Sequence, residues 1–244
     1  MKKFLTILTT ALIAIAVVSC NSEEKPNNGE VRKLPSKMIQ EVPPELLITN
    51  FFTNRYFYDE QNRLIRLERT IGADEMLRVL YFTYNSDGLL INVSESANDF
   101  PITHLENGRK VIVRQDTFWL NDRGLIVRLD RQVQVLGERE VREFIRDTDG
   151  HFLNSDGNFV NIGGAEIILS DIPTVWRHVN MPEWLFYWLG FSGLVFPVFP
   201  KIGNVPKSVV SHEPLIFELD ANGYVTRVAY FGVSAFRFEY ILAN

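Results

Sequence analysis

Ser192, in the run Gly190-Phe191-Ser192-Gly193, has the residue types of a serine nucleophile. Such a serine sits on a strand-to-helix elbow and needs glycine two residues on, so that the turn can close beneath the hydroxyl. Here the glycine is adjacent and Leu194 fills the required place. His104, His151, His178 and His212 are scattered, and none stands at a spacing that pairs it with Ser192 as a base. Asp147-Thr148-Asp149-Gly150, with Asp156 further on, carries the carboxylates of a calcium loop. Aligned on its glycine, that loop puts Ile145 at the first ligand position, where a side chain without oxygen cannot coordinate. The segment reads better as a hairpin turn. No His/His or Cys/His spacing suits zinc, and no glycine-rich phosphate loop follows a strand-like run. Without a convergent acid, base and nucleophile, the chain reads as a non-enzyme with no cofactor and no metal.

Cys20, the sole cysteine, does carry chemistry. Lys2 and Lys3 precede an apolar run from Phe4 to Val18, then Ser19 and Cys20. That is a signal peptide, and Val17 with Ser19 ahead of the cysteine matches the bacterial lipoprotein processing motif. Residues 1–19 are therefore expected to be removed and Cys20 to be acylated. Two or more chains anchor stably, at about 0.8 kcal/mol per buried methylene. Residues 20–45 are polar, broken by Pro26, Pro35, Pro43 and Pro44, and read as a flexible tether spanning about 25 Å. The acidic pair Glu23-Glu24 behind the cysteine resembles the export signal of surface lipoproteins, which favours the cell surface over the periplasmic face of an outer membrane. With 25 Lys and Arg against 30 Asp and Glu, the chain has no basic patch for nucleic acid, and its acidity leaves membrane attachment to the lipid.

The candidate binding residues are aromatic. Between about Asp171 and Pro206 strand rhythm stops and Trp176, Trp184, Phe186, Tyr187, Trp188, Phe191, Phe196 and Phe199 accumulate. Pro182-Glu183 is a fair helix start, while Gly190, Gly193 and Pro197 prevent a long helix, so one short helix and an apolar loop are expected. Trp184, Tyr187, Trp188, Phe191 and Phe196 could stack on a sugar, line an apolar cavity, insert shallowly into lipid, or plug the concave face of a sheet.

What must position them is a chain of hairpins. Asp or Asn stands three residues before Gly or Asn at Asp59/Asn62, Asn85/Gly88, Asn121/Gly124, Asp147/Gly150 and Asp220/Gly223. Asp and Asn bond back to their own backbone, and Gly or Asn accepts the positive φ of a tight reversal. Asn107-Gly108 predicts a further type I′ turn. Alternation is clearest from Leu125 to Val135, where Leu125, Val127, Leu129 and Val133 share a face with Arg131, and Arg128, Asp130 and Gln132 share the other. Ala235 to Leu242 reads as a closing strand. Charges on the alternate faces would cost about 2–4 kcal/mol each at a bilayer midplane, which argues against lipid-facing strands.

The runs Tyr56-Phe57-Tyr58-Asp59, Tyr81-Phe82-Thr83-Tyr84-Asn85 and Phe217 to Val225, with Trp188-Leu189-Gly190-Phe191-Ser192-Gly193, resemble a family of uncharacterised Bacteroidetes lipoproteins of porin-like fold. More distantly, the hairpin motif is similar to the Tyr-Asp repeats of large secreted shell proteins. The resemblance implies a fold and no activity. Together these readings predict one all-β domain over residues 46–244, a strongly curved antiparallel meander or partial barrel of about ten strands with one short helix and an apolar insertion. The expected role is a non-catalytic, lipid-anchored envelope module that binds a glycan, a lipid-like molecule or an envelope protein; alternatives are a carrier of an apolar ligand and a structural partner in an outer-membrane assembly.

Overall fold

The computed structural model describes residues 31–41, 52–72, 75–96, 98–133, 138–191, 201, 203–209, 214–230 and 234–244. Ten strands follow one another as an antiparallel meander. They are β1 (Lys33–Glu41), β2 (Phe52–Tyr58), β3 (Leu64–Ile71), β4 (Glu75–Tyr84), β5 (Leu90–Glu95), β6 (Asn98–Leu105), β7 (Lys110–Val113), β8 (Asp116–Leu120), β9 (Ile126–Val133) and β10 (Glu138–Glu143). An insertion then leaves the sheet. It holds the short pair β11 (Ile145–Arg146) and β12 (Phe152–Leu153), then β13 (Ile167–Pro173), helix α1 (Glu183–Phe191) and β14 (Asn204–Val209), with β13 and β14 paired. The chain returns as β15 (Ile216–Leu219), β16 (Val225–Tyr230) and β17 (Ser234–Leu242), and β17 pairs with β1. The result is an open antiparallel sheet of thirteen strands with β10 and β15 at its edges.

The five turns read from the sequence are all present, and their chemistry is visible. At the second, Asn85 Oδ1 accepts the backbone N–H groups of Asp87 and Leu89 at 3.0 and 2.9 Å, while Gly88 N–H donates to the Asn85 carbonyl at 3.0 Å. The same bonds recur from Asp59, Asn121 and Asp220. Register shifts at Phe57/Tyr58, Thr83/Tyr84, Trp119/Leu120 and Glu218/Leu219 mark the bulge that a three-residue hairpin loop creates. Two further copies, Asn154/Gly157 and Asn161/Gly164, continue from Asp147/Gly150 at seven-residue steps. Their intervening strands are too short to alternate. At the expected Asn-Gly turn, Asn107 lies at φ 56° and Gly108 at φ 84°, the signs of a type I′ reversal.

One expectation is corrected. Lys33–Glu41, read as tether, is β1, bonded to β17 on one side and β2 on the other. Pro35 is accommodated at a register shift between Pro35 and Lys37, where the missing N–H breaks no ladder. Leu34 and Pro35 are buried as immediate neighbours at that irregularity, so simple period-two reading fails there. This strand, together with short strands too weak to see in sequence, raises the count from about ten to thirteen.

The inner face of the sheet forms the core through Met38, Tyr56, Leu67, Leu80, Val93, Val111, Phe118, Leu129, Val228 and Phe238. Helix α1 lies against it, and every residue from Glu183 to Gly190 is buried. A helix apolar on all sides belongs inside a core rather than on a surface. The outer face carries the charges: Arg128, Asp130 and Arg139 lie there, and the Arg139 guanidinium grips Asp130 at 2.5 and 2.6 Å across β9 and β10. That bond holds the Asp130 carboxyl below the usual carboxylate range.

Candidate ligand-binding site

Pro182 starts α1, accepting backbone N–H bonds from Leu185 and Phe186 at 3.1 and 3.3 Å. The helix is then fixed by one buried ion pair. Glu183 accepts from Arg146 Nη1 at 3.0 Å on one oxygen, and from Arg146 Nη2 and the Ile126 N–H, both at 2.8 Å, on the other. Arg146 also donates to the carbonyls of Ile126 (2.9 and 2.8 Å) and Gly150 (2.5 Å), and lies 3.5 Å over the Phe152 ring. The insertion is thereby clamped to the start of β9. Burial pushes the Glu183 carboxyl above the usual range, although Arg146 and the Ile126 N–H pull it back.

The aromatic residues named from the sequence are separated by this placement. Trp184 packs on Phe118 and His104, Tyr187 on Phe152, and Trp188 on Phe100. All three are at most 4% exposed, so their rings face the sheet and other core residues. Phe191, half-buried, lies beneath the guanidinium of Arg131 at 3.9 Å, which puts Arg131 on the inner face as the alternation in β9 predicts. Phe191, Arg131, Leu129 and Arg142 line a recess of 210 Å³ at that end of the helix. Phe196, Ser192, His212 and Cys20 lie outside the described residues.

At the other end of the helix, beside Trp184, is a cavity of 370 Å³. Its apolar wall is Leu90, Val111, Leu120, Leu125, Met181 and Trp184, and the hairpin turns at Gly88, Gly108 and Gly124 also line it. Polar side chains that line it are His104, Arg123, Glu183 and Lys201. His104 Nε2 lies 2.8 Å from the Leu90 carbonyl, so that nitrogen carries the proton. Burial pushes the Lys201 ammonium down to about 8, with the charge of Glu183 working against it. Lys201 was not singled out by sequence reasoning, yet a signal exists. No charged residue stands between Glu183 and Lys201, and the fold returns both ends of that uncharged stretch to one cavity.

The calcium-like segment behaves as a turn. Asp147, Asp149 and His151 bring ligand atoms within 4.8 Å of one another. The bonds within the turn account for this: Asp147 accepts the His151 N–H at 2.7 Å and the ring Nδ1 at 2.8 Å. Burial would raise the Asp147 carboxyl, but the bonds from His151 and Gly150 outweigh it and the carboxyl sits low.

No family model matches the chain, and no curated protein matches it. Among solved structures it is similar to a porin-like protein from Bacteroides uniformis, at 16% identity over 85% of this chain and 98% of that one, with a TM-score of 0.39. It is also similar to part of the TcdB2-TccC3-TEV structure, at 12% identity over 82% of this chain and 11% of that one, with a TM-score of 0.26.

Proposed function

We propose that this protein is a lipid-anchored module of the bacterial cell envelope that binds an apolar or lipid-like molecule without transforming it. Acylation at Cys20 attaches it to the outer membrane, with the cell surface favoured by Glu23-Glu24. The observation that carries the binding reading is the 370 Å³ cavity at the head of the helix. It lies within the roughly 300–1,000 Å³ of small-molecule sites and has their composition, an apolar wall with a few polar groups. Non-catalytic action is supported by the commitment of two of those groups: Glu183 accepts three hydrogen bonds within the fold and His104 is tied to a backbone carbonyl. A second reading, a structural partner in an envelope assembly, is favoured by edge strand β15, where Ile216 and Leu219 are 66% and 46% exposed; a partner could add a strand there.

Native mass spectrometry of the chain from Asn21 onward, purified from the periplasm of a bacterial host, tests the binding reading. The expected result is a reproducible extra mass that leaves on denaturation. A clean apo mass, both from that host and from the protein's own envelope, sinks it. Crosslinked complexes lost when Ile216 is replaced by Lys would instead support the assembly reading. Acyl attachment is tested separately by metabolic labelling with an alkyne fatty acid, which Cys20→Ala should abolish.

A further inference from the structure

We propose that the cavity takes a single-chain amphiphile with a carboxylate head, the head on Lys201 and the chain along Leu90, Val111, Leu120 and Trp184. This rests on the binding reading above and names its ligand class. The charge balance of the site is what selects an anion. Glu183, the acid that lines the cavity, already accepts two bonds from Arg146 and one from the Ile126 N–H, so its charge is matched within the fold. Lys201 remains. Among the described residues its ammonium forms no hydrogen bond or ion pair, although it lines a largely apolar cavity. Lys201 is half-buried, and an ammonium set against an apolar wall with no ion-pair partner among the described residues is poorly compensated; an anionic ligand would supply that partner.

One lysine offers a compact point charge with three donors, which suits a monoanionic carboxylate; a phosphate dianion calls for more cations or an arginine fork. The remaining guanidinium at the cavity, Arg123, is exposed and turned onto the Thr148 carbonyl at 2.6 Å. His104 Nε2–H donates to the Leu90 carbonyl. The wall of the same cavity includes Trp184, Val111 and Leu120, a surface for methylenes rather than for hydroxyls.

The protonation of Lys201 gives the site a pH dependence. The groups facing it are Glu183 with Arg146 behind it, His104 on β6 and Arg123 in the β8–β9 turn. Guanidinium groups do not titrate in this range. A carboxylate head favours the ammonium, so affinity is full between the ordinary carboxylic-acid range, below which the ligand's own head is neutral, and about pH 8, and declines as the free site loses its proton above that value.

The test uses the delipidated chain from Asn21 onward, titrated below micellar concentration with dodecanoate, dodecanol and dodecyl phosphate, and read by calorimetry and tryptophan fluorescence. Dodecanoate is expected to bind at least about tenfold more tightly than dodecanol at pH 7, and to lose that advantage by pH 10. Lys201→Met should remove the advantage and its pH dependence while leaving dodecanol binding intact; Lys201→Arg should retain it. Equal binding of dodecanoate and dodecanol, or an unchanged Lys201→Met variant, overturns the anion assignment and leaves the apolar site standing. Tighter binding of dodecyl phosphate than of dodecanoate overturns the carboxylate. Failure of all three probes to bind brings down the binding reading itself.

Discussion

The Arg146–Glu183 pair should be the fastening that holds the helix in the sheet, and a double-mutant cycle measures it. Its side chains are 7% and 3% exposed, so neither charge can turn to water if its partner is removed. Arg146→Met leaves Glu183 with a single donor, the Ile126 N–H, and also strips donors from the Ile126 and Gly150 carbonyls. Breaking a buried pair in this way costs about 3–5 kcal/mol. Glu183→Met should cost less, about 2–3 kcal/mol, because Arg146 keeps those two carbonyls as acceptors. Replacing both by Met removes the unpaired charges as well as the bonds. The double variant should therefore lie well short of the sum, with a coupling of about 2 kcal/mol or more.

Urea unfolding followed by tryptophan fluorescence reads all four proteins, since Trp176, Trp184 and Trp188 are buried beside the pair's helix. If the single costs add to within about 0.5 kcal/mol of the double, the pair is not a unit and the clamp reasoning fails. The pH dependence gives a second check. Burial sets the folded Glu183 value above its unfolded one, so the folded state holds the extra proton. Its contribution to stability is then greatest at low pH and is lost as pH rises through the folded value. Wild type should gain on Glu183→Gln as the solution is acidified toward the ordinary carboxylate range; an opposite trend refutes the assignment.

Trp188→Ala should lower stability by about 3–5 kcal/mol by opening a cavity against Phe100, seen as a fall in the urea midpoint. Gly203→Ala should destabilise by about 1–3 kcal/mol or prevent folding, because φ is +83° and the new methyl would meet the His151 ring at 2.2 Å; a soluble variant with an unchanged melting temperature contradicts this. Glu95, held below the usual carboxylate range by its bond to Arg78, contributes stability above its unfolded value that is lost as pH falls through the folded one. Glu95→Gln should accordingly flatten the acid limb of a stability–pH curve while leaving the slope above pH 7 unchanged.

Much of the fold was legible because its turns are local. An Asn at one position and Gly three residues later specify their own bonds, whatever the rest of the chain does, so Asn85/Gly88 and Asn121/Gly124 could be placed from residue type alone. Asn154/Gly157 and Asn161/Gly164 carry the same signature and were obscured by the lack of alternating strands between them. β1 was illegible for a different reason: its partner β17 is about two hundred residues away, and Pro35 resembles a break when that partner is unknown. The helix start at Pro182-Glu183 was readable, whereas Arg146 and Lys201 reach Glu183's surroundings only through the folded insertion. Aromatic clustering alone does not tell a binding surface from a core, and Trp184, Tyr187 and Trp188 are buried in the core.

The cavity itself follows from the chemistry of the turns. A hairpin loop of this kind demands positive φ at its last position, which glycine supplies without strain. Gly108 and Gly124 meet nothing within 4 Å where a Cβ would stand, and both line the cavity with Gly88. The residue that lets each strand reverse therefore also contributes no side chain to the cavity wall. Pro182 and Glu183 stop the helix short, because the clamp to Arg146 and Ile126 fixes where its first turn can sit. A space bounded by backbone turns on one side and a pinned helix on the other cannot close by side-chain collapse. Lys201, which has no hydrogen-bond or ion-pair partner among the described residues, comes from the chain's return path to β14, and that is the group a ligand would have to satisfy.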